Sequence, residues 1–152
     1  MLNELYREII LDHYRHPRGR GHLDPPKIVQ EGMNPLCGDE ITLELRVDGG
    51  IVEDIKFSGQ GCSISQASAS MLVEAVRGKR IEEVESLIQQ VLAMLRGETE
   101  PNESQIGEIA YLAGVRQFPV RVKCATLAWH TLEEALQQHD LKKSPHRTDN
   151  LG

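Results

Sequence analysis

Ile41-Thr42-Leu43-Glu44-Leu45-Arg46-Val47-Asp48-Gly49-Gly50-Ile51 decides the fold class. Apolar and polar residues alternate from Ile41 to Val47, the period of a strand with one buried face. Asp48-Gly49-Gly50 is turn chemistry, and Ile51–Ser58 returns as the partner strand. Ile51, Ile55 and Phe57 are expected on its inner face, with Glu53 interrupting that face. A weaker strand is expected over Lys27–Glu31. Outward from this meander the period changes to helical. Residues 3–15 read as an amphipathic helix through Leu5, Ile9 and Leu11, ended by His16-Pro17. Residues 17–26 are loop by composition. After Gly59-Gln60-Gly61-Cys62, a helix carries Ile64, Ala67, Met71, Leu72, Ala75 and Val76. Ser63 and Gln66 form its expected capping box, and Gly78 its stop. A second helix runs through Ile81, Val84, Ile88, Val91, Leu92 and Leu95 to Gly97. Residues 98–104 are linker, and a short helix is expected around Gln105–Ala113. The last helix aligns Val122, Ala125, Trp129, Leu132 and Leu136. There is no internal repeat. The order predicts an α+β domain over 1–138, a small antiparallel sheet of about three strands with helices packed on one face. Residues 139–152 are expected to form a disordered tail.

Composition bounds the function. The 152 residues carry 17 Lys+Arg against 23 Asp+Glu, a formal net charge of -6, with aromatics at 4%. The acidic balance argues against a general nucleic-acid binder. Apolar runs stop at Val91–Leu95 and Ile109–Ala113, far short of the ~20 residues that span a bilayer. The opening MLNELYREII is charged and amphipathic, without a signal-peptide stretch, and the chain reads as cytoplasmic. Three cysteines in such a chain make a disulfide framework a poor reading.

Each cysteine sits at the end of an element. Cys37 lies between Pro35 and Gly38 on a turn, with Asp39 two residues on. Cys62 precedes a helix start, where unpaired N–H groups favour a thiolate. Cys124 follows Arg121-Val122-Lys123 at the start of the last helix. Three buried small hydrophobes and a shared metal site both account for this, since no CxxC pair is present. Gly59-x-Gly61 is a fragment of a dinucleotide loop whose third glycine position holds Ile64, too little to argue from. His13, His16 and His22 are expected on the solvated surface. His130 lies far round the helix from Cys124. Glu82, Glu83 and Glu85 read as a solvated first turn.

Three segments together resemble a known family. Met33-Asn34-Pro35-Leu36-Cys37-Gly38-Asp39, Gly59-Gln60-Gly61-Cys62-Ser63-Ile64-Ser65 and Arg121-Val122-Lys123-Cys124-Ala125-Thr126-Leu127 are similar to the U-type iron–sulfur cluster assembly proteins (NifU N-terminal and IscU-like), from about Leu2 to Gln138. Lys123 stands where the scaffold branch has His. The stretch Gly114–Arg121 is longer than its counterpart there. Both features resemble the SufU branch. The resemblance implies an IscU/SufE-like fold and a zinc ion held by Cys37, Asp39, Cys62 and Cys124. It also implies transfer of persulfide sulfur from a SufS-type cysteine desulfurase onto Cys37, with Arg121 beside the site. Downstream cluster-assembly proteins are the further partners it implies, with no nucleic acid and no membrane. A [2Fe–2S] cluster, or iron, on the same residues is the scaffold alternative. A structural zinc adaptor is a third reading.

Overall fold

The computed structural model describes residues 2–26 and 28–143. Its sheet is a meander of β1 (Ile28–Asn34), β2 (Asp39–Asp48) and β3 (Ile51–Gln60), each antiparallel to the next. Ile41, Leu43, Leu45 and Val47 are buried on one face of β2, as their alternation requires. The helices are α1 (Leu2–Arg15), α2 (Ser63–Val76), α3 (Ile81–Leu95), α4 (Glu103–Ile106), a 3-10 segment (Gly107–Gln117) and α5 (Pro119–Lys143). Helix α5 packs on β1 and β2, and α2 packs on β3. The backbone of 19–21 closes the outer edge of β3, through Gly21 N–H to Phe57 O (2.8 Å) and Phe57 N–H to Gly19 O (2.9 Å). That edge therefore offers no open ladder at this point. No helix among the described residues is long and apolar enough to cross a membrane.

Several local expectations are corrected. β1 runs past Glu31 to Asn34, because it pairs with β2 all the way to Asn34 opposite Asp39. On β3, Val52 rather than Ile51 faces inward. Arg46 pairs with Asp54 while Val47 pairs with Val52, so Glu53 is the extra residue of a bulge. Its insertion shifts the inward face by one residue and leaves Ile51 41% exposed. The inner stripe of α1 is Tyr6, Ile9, Ile10 and His13, whereas Leu11 is exposed. The expected helix at Gln105–Ala113 breaks at Gly107, whose φ of +66° ends α4, and resumes as the 3-10 segment. Helix α5 continues to Lys143, so 139–143 are helical where a tail was expected. A helix already nucleated adds a hydrogen bond per residue, and so outruns its apolar stripe. The rest of the expected tail, 144–152, lies outside the described residues.

Helix α2 explains how the site is gathered. Small residues, Ala67, Ser68, Ala69 and Ser70, are buried in its middle. They let α1 and α5 approach closely on either side of it. Trp129 of α5 is fully buried and donates from Nε1 to Ser68 Oγ at 3.0 Å, and Ser68 Oγ donates to Ala125 O at 2.7 Å. These bonds lock α5 against α2 one turn from Cys124.

Candidate metal centre

The β1–β2 hairpin supplies the first donor. Asn34 and Asp39 pair across its base, and Cys37 N–H donates to Asn34 O at 3.3 Å inside the turn. Gly38 closes the turn with φ +70°, a conformation that strains any residue with a side chain. Cys37 is thereby held half-buried at the tip. Its neighbours Met33 and Leu36 are exposed apolar side chains.

Asp39 is fully buried at the start of β2. One oxygen, Oδ1, accepts the Cys62 N–H at 2.9 Å and has the Ser65 hydroxyl at 3.2 Å. The N-terminus of α2 is thus capped by a residue from the sheet. The cap position is Cys62, one residue earlier than expected, and Cys62 makes no side-chain cap bond of its own. A local Ser63–Gln66 box is not needed once Asp39 satisfies the first free N–H. The other oxygen, Oδ2, accepts from Asn34 Nδ2 at 3.4 Å.

Cys124 arrives from the second turn of α5. It is buried, with Sγ 3.2 Å from Cys37 Sγ and 3.8 Å from Asn34 Nδ2. Burial first, then hydrogen bonds with Cys37 and Asp39 and the charge of Cys62, hold its thiol well above the ordinary range in the metal-free protein. The donor atoms of Cys37, Asp39 and Cys124 all lie within 4.8 Å of one another. Cys62 stands outside that trio but lies close enough to raise the Cys124 thiol. The exposed guanidinium of Arg121 stands beside Cys62, whose proximity raises it above its ordinary value, with the charges of Cys124 and Cys37 adding to the effect. The structure therefore gathers all five residues singled out in the sequence. Sulfur donors with one carboxylate oxygen form a set that suits a four-coordinate, borderline-soft ion.

Three members of the site were not read from the sequence. Asn34 and Ser65 touch Asp39, and their only sequence signal is proximity to Cys37 and Cys62. Tyr6 is the third. Its hydroxyl is raised by burial and then by the charge of Cys62, and its ring stacks on Phe118 at 6.4 Å between centroids. Gly61 also has a role: a Cβ there would meet Asp39 Oδ1 and Ser65 Oγ, each at 2.5 Å.

His13 corrects the surface reading of the histidines. It is fully buried, 2.8 Å from Ser70 Oγ through Nδ1 and 2.8 Å from Glu108 Oε1 through Nε2. The signal was available: His13 follows Ile9 and Ile10 at steps of four and three on the inner stripe of α1. His13, Glu74 and Glu108 are ligand types close together. Both ring nitrogens already have partners, however, and Arg18 sits 3.5 Å from Glu74. The group ties α1, α2 and the 3-10 segment together. His22 is exposed, as expected, and pairs with Glu44 at 2.5 Å.

Residues 5–145 match the NifU-like N-terminal domain. The chain is 46% identical to the zinc-dependent sulfurtransferase SufU of Bacillus subtilis, over 91% of this chain and 94% of the relative. The chain belongs to the NifU-like N-terminal domain family. It is equally similar, at 46% over 88% of this chain and 94% of the relative, to the iron–sulfur cluster assembly scaffold protein IscU of Thermotoga maritima. Family membership places it among iron–sulfur cluster assembly proteins. Among solved structures, FiSufU of Fervidobacterium islandicum AW-1 superposes with a TM-score of 0.82 at 38% identity, covering 88% of this chain and 97% of that one. The N-terminal part of a NifU-like protein from Brucella abortus superposes at 0.84, over 93% of this chain and 99% of that chain, and at 24% identity shows the shared fold alone.

Proposed function

We propose that this family member is a zinc-dependent sulfurtransferase, and that Cys37 takes sulfur from a cysteine desulfurase in the cytoplasm. Cys37, Asp39, Cys62 and Cys124 would hold the ion. Zinc, when bound, keeps the coordinating sulfurs as thiolates at neutral pH. The observation that carries the reading is the contrast among the thiols. Cys37 rides a half-buried hairpin turn, whereas Cys62 and Cys124 are fixed by helices α2 and α5. Moving Cys37 disturbs a turn; moving either of the others disturbs a helix.

The transfer balances as a thiolate–persulfide exchange. The Cys37 sulfur attacks the terminal sulfur of the desulfurase persulfide. A new S–S bond forms on Cys37, the old one breaks, and the desulfurase cysteine departs as a thiolate. Arg121, beside the thiol cluster, offers a cation to the anionic sulfur in transit. Lys123 adds a second exposed positive charge two residues along α5.

The test is mass spectrometry of the protein after incubation with its desulfurase and cysteine. An added sulfur on Cys37, lost in Cys37→Ser together with stimulation of the desulfurase, is the expected result. Sulfur on Cys62 or Cys124 with full activity in Cys37→Ser overturns it. The scaffold reading has its own support in the similarity to IscU proteins. Protein purified without oxygen separates the two: colourless with one zinc per chain, or brown with iron and sulfide.

A further inference from the structure

Asn34 ends β1 directly opposite Asp39, and it is buried. Its amide nitrogen lies 3.4 Å from Asp39 Oδ2 and 3.8 Å from Cys124 Sγ. An amide carries two N–H groups on one nitrogen, enough for both neighbours at once. The orientation is dictated by chemistry. A carboxylate and a metal-bound thiolate are both acceptors, so the amide oxygen turned toward them would place three acceptors together.

The three thiols are not equally served by donors. Cys62 has the positive charge of the Arg121 guanidinium beside it. Cys124 has the Asn34 amide. Among the described residues, the sulfur of Cys37 meets the Cys124 thiol and no N–H group. An N–H donated to a thiolate draws charge from the sulfur and lowers its nucleophilicity, and charge-assisted bonds of this kind are the stronger ones. Resting on the proposed function, we infer that Asn34 is a positioning residue that selects the reacting sulfur: it quietens Cys124, orients the Asp39 carboxylate, and leaves Cys37 as the thiolate that accepts sulfur.

The side-chain length is part of the inference. At the base of a tight hairpin, the amide reaches both partners from one backbone position. Asn34→Asp keeps the shape but sets a second carboxylate against Asp39. Asn34→Leu keeps most of the volume and removes both donors.

The experiment uses full-length protein loaded with cobalt or zinc, treated with limiting N-ethylmaleimide and mapped by mass spectrometry. Wild-type protein is expected to be modified first at Cys37. In Asn34→Leu, modification of Cys124 relative to Cys37 should rise roughly fivefold, the weight of one ordinary hydrogen bond. The thiolate-to-cobalt charge-transfer band should move to lower energy, which a merely structural loss would not produce. Stoichiometric cobalt binding by both Asn34→Leu and Asn34→Asp, with the band and the labelling order unchanged, overturns the inference. A variant that fails to fold is bypassed in the wild-type protein loaded with cadmium-113. There the Asn34 amide protons should show coupling to the metal through the N–H···S bond, and its absence overturns the inference equally. Wild-type protein that binds no metal sinks the proposed function itself, an outcome distinct from a metal-loaded protein in which Asn34 is silent.

Discussion

Asp39 divides its two oxygens between folding and chemistry. Oδ1 caps α2 through Cys62 N–H, while Oδ2 faces Asn34 and the thiol side. Asp39→Ala should therefore destabilise even the metal-free protein, by about 1–3 kcal/mol, because the part-buried Cys62 N–H loses its acceptor, while the Ser65 hydroxyl keeps Cys62 O. Urea denaturation in the presence of chelator measures this, and an unchanged midpoint would show that the cap is dispensable. A second residue-scale prediction concerns Asp12, held below the usual carboxylate range by its hydrogen bond from Arg18. Its folded value is lower than its unfolded value. The pair's stabilisation is thus present above about pH 3.9 and fades as pH falls through the folded value. In an NMR titration, Arg18→Gln should return the Asp12 midpoint toward ~3.9. A midpoint that does not move would dismiss the pairing.

The elements meet at places a one-dimensional pattern does not mark. Gly61 lies where the end of β3 crosses Asp39 and Ser65, with no room for a methyl group. Gly61→Ala should displace the carboxylate and weaken metal binding by roughly tenfold or more, although it removes no ligand. A competition titration against a chromophoric chelator decides it, and wild-type affinity would refute the crowding argument. His13 joins α1 to Ser70 of α2 and Glu108 of the 3-10 segment. His13→Ala should cost about 2–4 kcal/mol through a cavity and lost hydrogen bonds. Measured unfolding free energies within ~0.5 kcal/mol of each other would show that the clamp carries no stability.

Across the whole molecule, the centre draws together the β1–β2 turn, the start of α2 and the second turn of α5. A metal bound there would add a further tie between the sheet and two helices already joined by packing and by the Asp39–Cys62 and Ser68 hydrogen bonds. Binding to the native state alone stabilises by mass action, so chelation should lower the melting temperature of the entire domain in one transition. Calorimetry with and without chelator tests this. Identical melts of metal-loaded and stripped protein would mean that the ion contributes nothing to the fold.

The meander, the helix order and the places of Cys37 and Cys62 at element ends were legible in the sequence, because periods of two and 3.6 and turn residues are local signals, whereas Cys124, read at a helix start, lies in the second turn of α5. Cys37, Cys62 and Cys124 stood out locally, each beside a Gly, a Pro, a helix start or a charge, with Asp39 two residues from Cys37; their union in one site with Arg121 came from the resemblance to the family. The bulge at Glu53 was visible only as a conflict on one face, since its resolution depends on the register of β2 across the ladder. Tertiary structure alone decided that Asn34 serves Cys124 from 90 positions away, that Asp39 caps a helix 23 positions on, and that His13 meets Ser70 and Glu108. These are contacts between elements, fixed by how α1, α2 and α5 stack on the sheet. No local period encodes which side chains that stacking brings within hydrogen-bonding distance.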